Sequence, residues 1–72
     1  MDSTKLKYFV SAAHRLNFSE VAKLFFISQP TVSHQIDLLE QELGVKLFYR
    51  NGKRLELTSE GAYFLPLAEK LL

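Results

Sequence analysis

Seventy-two residues make one small domain with a small core, and a 47% hydrophobic content with six Phe and three Tyr marks a packed fold and not a disordered tail. The absence of Cys excludes a disulfide scaffold, a thiol nucleophile and a Cys-ligated zinc site, and fits a reducing compartment, the cytoplasm by default. Net charge is only +1, too little by itself to argue for a polyanionic partner, so the placement of charge matters more than its sum. No basic leader followed by an apolar stretch opens the chain, and no run approaches the roughly 18 apolar residues that cross a bilayer; neither export nor membrane insertion is expected.

Taken in chain order, Leu6, Phe9, Val10 and Ala13 fall at i, i+3, i+4 and i+7, which predicts an amphipathic first helix over residues 3 to 16. Asn17-Phe18-Ser19-Glu20 breaks that pattern, and Ser19 is the expected cap of a short second helix from Glu20 to Phe25. Ser28 is the next capping residue. Pro30 falls in the first turn that follows, where its missing N–H costs nothing, and Val32, Ile36, Leu39 and Leu43 recur on one face until Gly44 supplies a left-handed stop. The third helix therefore spans Gln29 to Leu43. Only Phe26, Ile27 and Ser28 separate it from the second, the spacing of a helix-turn-helix.

Beyond Gly44 the period changes from helical to alternating. Val45, Leu47 and Phe48 lead to Tyr49-Arg50, then Asn51-Gly52, a strong hairpin-turn signal, then Leu55 and Leu57 alternating with Arg54 and Glu56. Thr58 followed by Ser59 and Glu60 reads as the cap of a fourth helix. In that helix Ala62 and Leu65 begin an apolar stripe interrupted at Glu69, and Pro66 removes a bond to the Ala62 carbonyl, predicting a kink. The chain stops at Leu72 on a still-hydrophobic helix without a capping Gly, the expectation being a longer protein or an end that packs on a partner.

Three helices followed by a hairpin give a mainly α fold, the winged helix-turn-helix plan, in which the third helix enters the major groove of DNA and the wing meets the backbone or minor groove. Charge placement agrees with that plan. From residue 46 to 54 stand Lys46, Arg50, Lys53 and Arg54 with no acid. On a helical wheel the apolar face of the third helix lies opposite Pro30, Ser33, His34, Asp37 and Gln41, and its first half, Gln29 to His34, carries no acid to repel phosphate.

The stretch Ser28-Gln29-Pro30-Thr31-Val32-Ser33-His34-Gln35-Ile36 resembles the Ser-Gln-Pro, Ser, Gln-Ile recognition-helix pattern of LysR-type transcription regulators. The resemblance continues upstream in Tyr8-Phe9-Val10, Asn17-Phe18-Ser19 and Ala22. Downstream it continues in Leu39-Glu40, Glu42-Leu43-Gly44, Leu47-Phe48, Arg50, Leu57-Thr58, Gly61 and Leu65-Pro66, and so covers essentially the whole chain. It implies a DNA-binding domain over residues 1–58 and, over 59–72, the start of a linker helix that pairs subunits. Full-length relatives are typically tetramers that answer a small molecule through a separate effector domain, which has no room in this chain. The implied partners are double-stranded DNA and a second copy, with no cofactor.

Carried over residue by residue, the resemblance makes Gln29, Pro30, Ser33 and His34 major-groove readers. Gln29 suits adenine or guanine edges, and the Pro30 ring suits a thymine methyl. Thr31 falls to phosphate; Asn17, Phe18 and Ser19 to the backbone at the start of the second helix; Arg50, Lys53 and Arg54 to the wing. Two positions depart. His34 stands where the family more often has Arg and has a shorter reach, so the base it reads is expected to differ. Asp37 stands where relatives often carry a basic residue, which weakens local phosphate affinity.

Other features read more plainly. Val32, Ile36, Leu39, Phe9, Phe18, Phe25 and Phe48 are core; Leu24, Phe26 and Leu38 are apolar where polar residues are expected, a matter of imperfect patterning. His14 has no ligand-spaced Cys or carboxylates and is a surface residue, so no metal site is expected. No nucleophile, base and acid constellation and no glycine-rich phosphate loop points to an enzyme. A protein-interaction module is the competing reading, but it needs neither four cations between 46 and 54 nor an acid-free helix tip.

Overall fold

The computed structural model describes residues 2–52 and 54–72. Among them lie four helices and one hairpin: α1 (Ser3–Arg15), α2 (Phe18–Phe25), α3 (Gln29–Leu43), β1 (Phe48–Asn51), β2 (Arg54–Leu57) and α4 (Ser59–Leu71). This is the expected mainly α winged helix-turn-helix. Each helix start is closed by a side chain. Asp2 accepts the Lys5 N–H at 3.0 Å, Ser28 Oγ that of Thr31 at 3.3 Å and Thr58 Oγ1 that of Gly61 at 2.9 Å.

For α2 the cap is Asn17, whose Oδ1 accepts the Glu20 N–H at 3.0 Å, and not Ser19. The helix accordingly begins at Phe18, two residues before the expected start. Leu16, expected inside the first helix, instead ends it in the left-handed conformation at φ 52°, with its N–H on the Ala12 carbonyl. That reversal lets α2 start only two residues after α1 ends. Phe26 ends α2 in the same way at φ 58°. The bounds of α3 are the expected ones, with Gly44 at φ 73° donating to the Glu40 carbonyl.

The core lies where α1, α3 and the base of the hairpin meet. Phe9 is fully buried, its ring centroid 5.7 Å from Phe48 and 5.3 Å from Phe64 on α4. Phe18 packs edge-on against Phe48, bringing α2 into the same cluster. Val32, Ile36 and Leu39 are the buried face of α3, as their spacing predicts. Phe25, expected in the core, is only half-buried and meets Tyr8 edge-on at its margin.

β1 and β2 pair antiparallel from Phe48↔Leu57 to Asn51↔Arg54. Asn51 is therefore the last paired residue of β1 and not the first turn residue. The turn begins at Gly52, whose φ of 57° is open to glycine without strain. The base of the hairpin is tied to α4: the Thr58 N–H donates to the Leu47 carbonyl at 3.0 Å, and its hydroxyl donates to the Lys46 carbonyl at 2.6 Å. Gly61 follows in contact, because a Cβ there would lie 2.3 Å from the Leu47 carbonyl oxygen.

This close approach sets the rotation of α4. Gly61, Phe64, Leu65 and Ala68 turn inward, whereas Ala62, expected to begin the apolar stripe, is exposed. Tyr63 and Leu71 point outward at 76% and 64% exposure. The helix continues through Pro66 as one element. Among the described residues no helix is long and apolar enough to cross a membrane.

Candidate nucleic-acid interface

The capped start of α2, the first half of α3 and one flank of the hairpin enclose a cleft of about 460 Å³. Seven of the expected DNA-contacting residues line it: Asn17, Phe18, Ser19, Gln29, Ser33, Arg50 and Arg54. Pro30, Thr31 and His34 are exposed on the α3 surface, outside that lining. Lys53 lies outside the described residues. Residues from three segments up to 37 positions apart thus converge because the short α2–α3 turn and the hairpin fold over the same core.

Within the cleft the polar side chains are already connected. Ser19 Oγ donates to Gln29 Oε1 at 3.0 Å, so its hydroxyl faces the α3 tip. Ser28 and Thr31 share a hydroxyl–hydroxyl bond of 2.8 Å at the α3 cap. Phe18 is buried and its ring belongs to the aromatic cluster, so what it offers a ligand is main chain at the start of α2.

Arg50 stands on the wing as expected, in β1, and its side chain reaches back to α3. Its Nη1 donates to Ser33 Oγ at 3.1 Å, and its Nη2 lies 2.7 Å from Asp37 Oδ1 and 3.4 Å from Glu40 Oε1. The guanidinium carbon sits 5.2 Å from the centroid of the Phe18 ring. Lys46, at 3.9 Å, is also drawn to Glu40. Two of the four cations between 46 and 54 therefore balance acids of α3, while Arg54 meets no acid among the described residues.

Glu40 is a functional residue that the reading of the sequence missed. It is 4% exposed, and its Oε2 accepts the Leu47 and Phe48 N–H groups at 2.7 and 3.3 Å. A buried carboxylate that satisfies two main-chain donors and a guanidinium fixes the angle between helix and hairpin. A signal was present: Glu40 stands four residues after Ile36 and eight after Val32, on the apolar stripe itself. His14, expected to be a plain surface residue, is exposed and bonds Glu69 on α4 at 2.9 Å.

Comparison with known proteins places this geometry. Residues 3–62 match the model of a family described as bacterial regulatory helix-turn-helix protein, lysR family. Over all 72 residues the chain is 47% identical to the transcriptional regulator CitR of Bacillus subtilis and 43% identical to ClcR of Pseudomonas putida, covering 25% and 24% of those proteins. The chain thus spans about a quarter of the length of these relatives, which are named as transcriptional regulators and not enzymes. Among solved structures, a complex of the CbnR DNA-binding domain with DNA superposes with a TM-score of 0.94 at 38% identity, over 99% of this chain and 82% of that one. A BenM DNA-binding domain complex with catB site 1 DNA gives 0.92 at 38% identity, over 99% of this chain and 76% of that one. Sequence, fold and cleft lead to one statement: this chain belongs to the lysR family of bacterial regulatory helix-turn-helix proteins.

Proposed function

We propose that this chain is the sequence-specific DNA-reading domain of a LysR-type transcription regulator. The observation that carries the reading is the cleft itself, where the start of α2, the acid-free first half of α3 and the Arg54 flank of the wing share one concave surface. The DNA complexes named for the CbnR and BenM domains support it. On this reading α3 lies in the major groove with Gln29, Pro30, Ser33 and His34 toward base edges and Thr31 toward phosphate. Asn17 and the main chain at Phe18 and Ser19 follow the backbone, and Arg54 reaches the minor groove, where a guanidinium suits a narrow, negative channel. Arg50 serves the wing from behind, through α3.

Residues 1–58 form the reading unit and 59–72 begin a linker helix that pairs two copies, each reading one half of an interrupted palindrome. In a full-length protein the assembly is a tetramer, a separate domain binds a small effector, and the whole works in the bacterial cytoplasm on the nucleoid. Selection from randomised duplex DNA, followed by affinity measurements on the selected site, tests the reading. Gln29→Ala is expected to cost about 1–3 kcal/mol on the selected site and to relax one position. Arg54→Ala weakens all sequences evenly and lowers the salt dependence by about one ion. Equal losses on specific and random duplexes for Gln29→Ala overturn direct readout.

A further inference from the structure

Two contacts in the cleft constrain which hydrogen-bonding atoms α3 can offer a base. The Gln29 amide is held through its oxygen, which accepts the Ser19 hydroxyl, so the amide nitrogen with its two N–H groups is turned away from that bond. Ser33 Oγ accepts from Arg50 Nη1, which orients its own O–H away from the guanidinium. Neither holding group is loose. Ser19 stands in the first turn of α2, and Arg50 is fixed by Asp37, Glu40 and the Phe18 ring.

From this we propose that α3 reads its operator as a hydrogen-bond donor. Gln29 Nε2 and the Ser33 hydroxyl address acceptors on base edges, with Ser19 and Arg50 as positioning residues. The inference rests on the DNA-reading function and sharpens it. A glutamine that pairs with adenine through both ends offers its oxygen to the N6 amino group, for which Gln29 Oε1 keeps only its second lone pair, whereas its two N–H groups are free for N7 or O6 of guanine, N7 of adenine or O4 of thymine. Ser19, matched to the DNA backbone by family resemblance, acts here on the reader.

The test begins with duplexes selected from a randomised library by the unmodified chain, then replaces single atoms at the position that Gln29→Ala relaxes. Removing the acceptor, as a 7-deaza purine or a thymine lacking O4, is expected to weaken binding roughly tenfold; removing N6 from a selected adenine leaves affinity within about twofold. Gln29→Lys, which has only donors, keeps the selected base class, and Gln29→Glu, which has only acceptors, loses about tenfold or more. Ser19→Ala, on an exposed position whose folding is checked by circular dichroism, admits N6-dependent adenine sites, and Ser19→Thr restores the original preference. An N6-dependent wild type, or Gln29→Glu binding as well as wild type, overturns the donor assignment alone. Failure of the unmodified chain to enrich any sequence overturns the DNA-reading function with it.

Discussion

The two halves of α3 are built from the same helical repeat and do opposite work. From Gln29 to His34 the helix carries no acid, and the bonds its outward residues make lead to the start of α2 and to the wing. From Asp37 to Glu42 the helix carries three acids, and each meets a cation or an amide of another element: Asp37 meets Arg50, Glu40 the base of the hairpin, and Glu42 meets Lys5 on α1. The contrast explains how a domain of net charge +1 keeps an acid-free helix tip. The acids of α3 are confined to the half that fastens the helix to the rest of the fold, where their charge is matched and kept from the cleft.

The largest effect should come from cutting the fastening half at its buried point. Glu40→Ala strands the Leu47 and Phe48 main-chain N–H groups and removes one partner of Arg50, and is expected to cost about 3 kcal/mol in urea denaturation. A loss below about 1 kcal/mol would mean that the hairpin holds its place without the carboxylate.

Asp37 lies at the border between the halves, so its substitution separates them. Asp37→Asn removes a pair whose side chains are 34% and 43% exposed, and should lower stability by no more than about 1 kcal/mol. The same change removes a negative charge beside the cleft, and anisotropy titrations should show tighter binding to specific and random duplexes alike, by less than about tenfold. Unchanged or weaker binding would make Asp37 part of the reading half.

The smallest effect belongs to Glu42. Its hydrogen bond with Lys5 holds its carboxyl below the ordinary 4.5 and raises the Lys5 ammonium above 10.5. A depressed carboxyl contributes stability above about 4.5 and loses it as pH falls through the folded value; a raised ammonium contributes below about 10.5 and loses it as pH rises through its own. Glu42→Gln should therefore lower Tm slightly at pH 7, with the difference closing as pH falls below 4.5. A difference that persists in acid would show that the charge is not its source.

Much of this was legible in the chain. The limits of α3 follow from Ser28, Pro30 and Gly44, three residues whose backbone preferences act locally, and its buried face follows from period alone. Seven of the eleven expected contact residues line one cleft because helix-turn-helix spacing brings α2 and α3 together whatever their partners. The start of α2 was misplaced because Asn17 and Ser19 are both competent caps, and the choice depends on Leu16 adopting a left-handed turn.

By itself the sequence determined the order and type of the elements, the turn between α2 and α3 and the exposed face of α3, since capping, period and turn chemistry operate within a few residues. Tertiary structure decided the rest. It turned the Arg50 side chain of the wing toward α3, buried Glu40 beneath the hairpin and set the rotation of α4 through the closeness of Gly61 to Leu47. It also coupled Ser19 to Gln29 across the cleft. Each of these joins residues from different elements, and such contacts depend on how helices and hairpin share one core, which no local preference encodes.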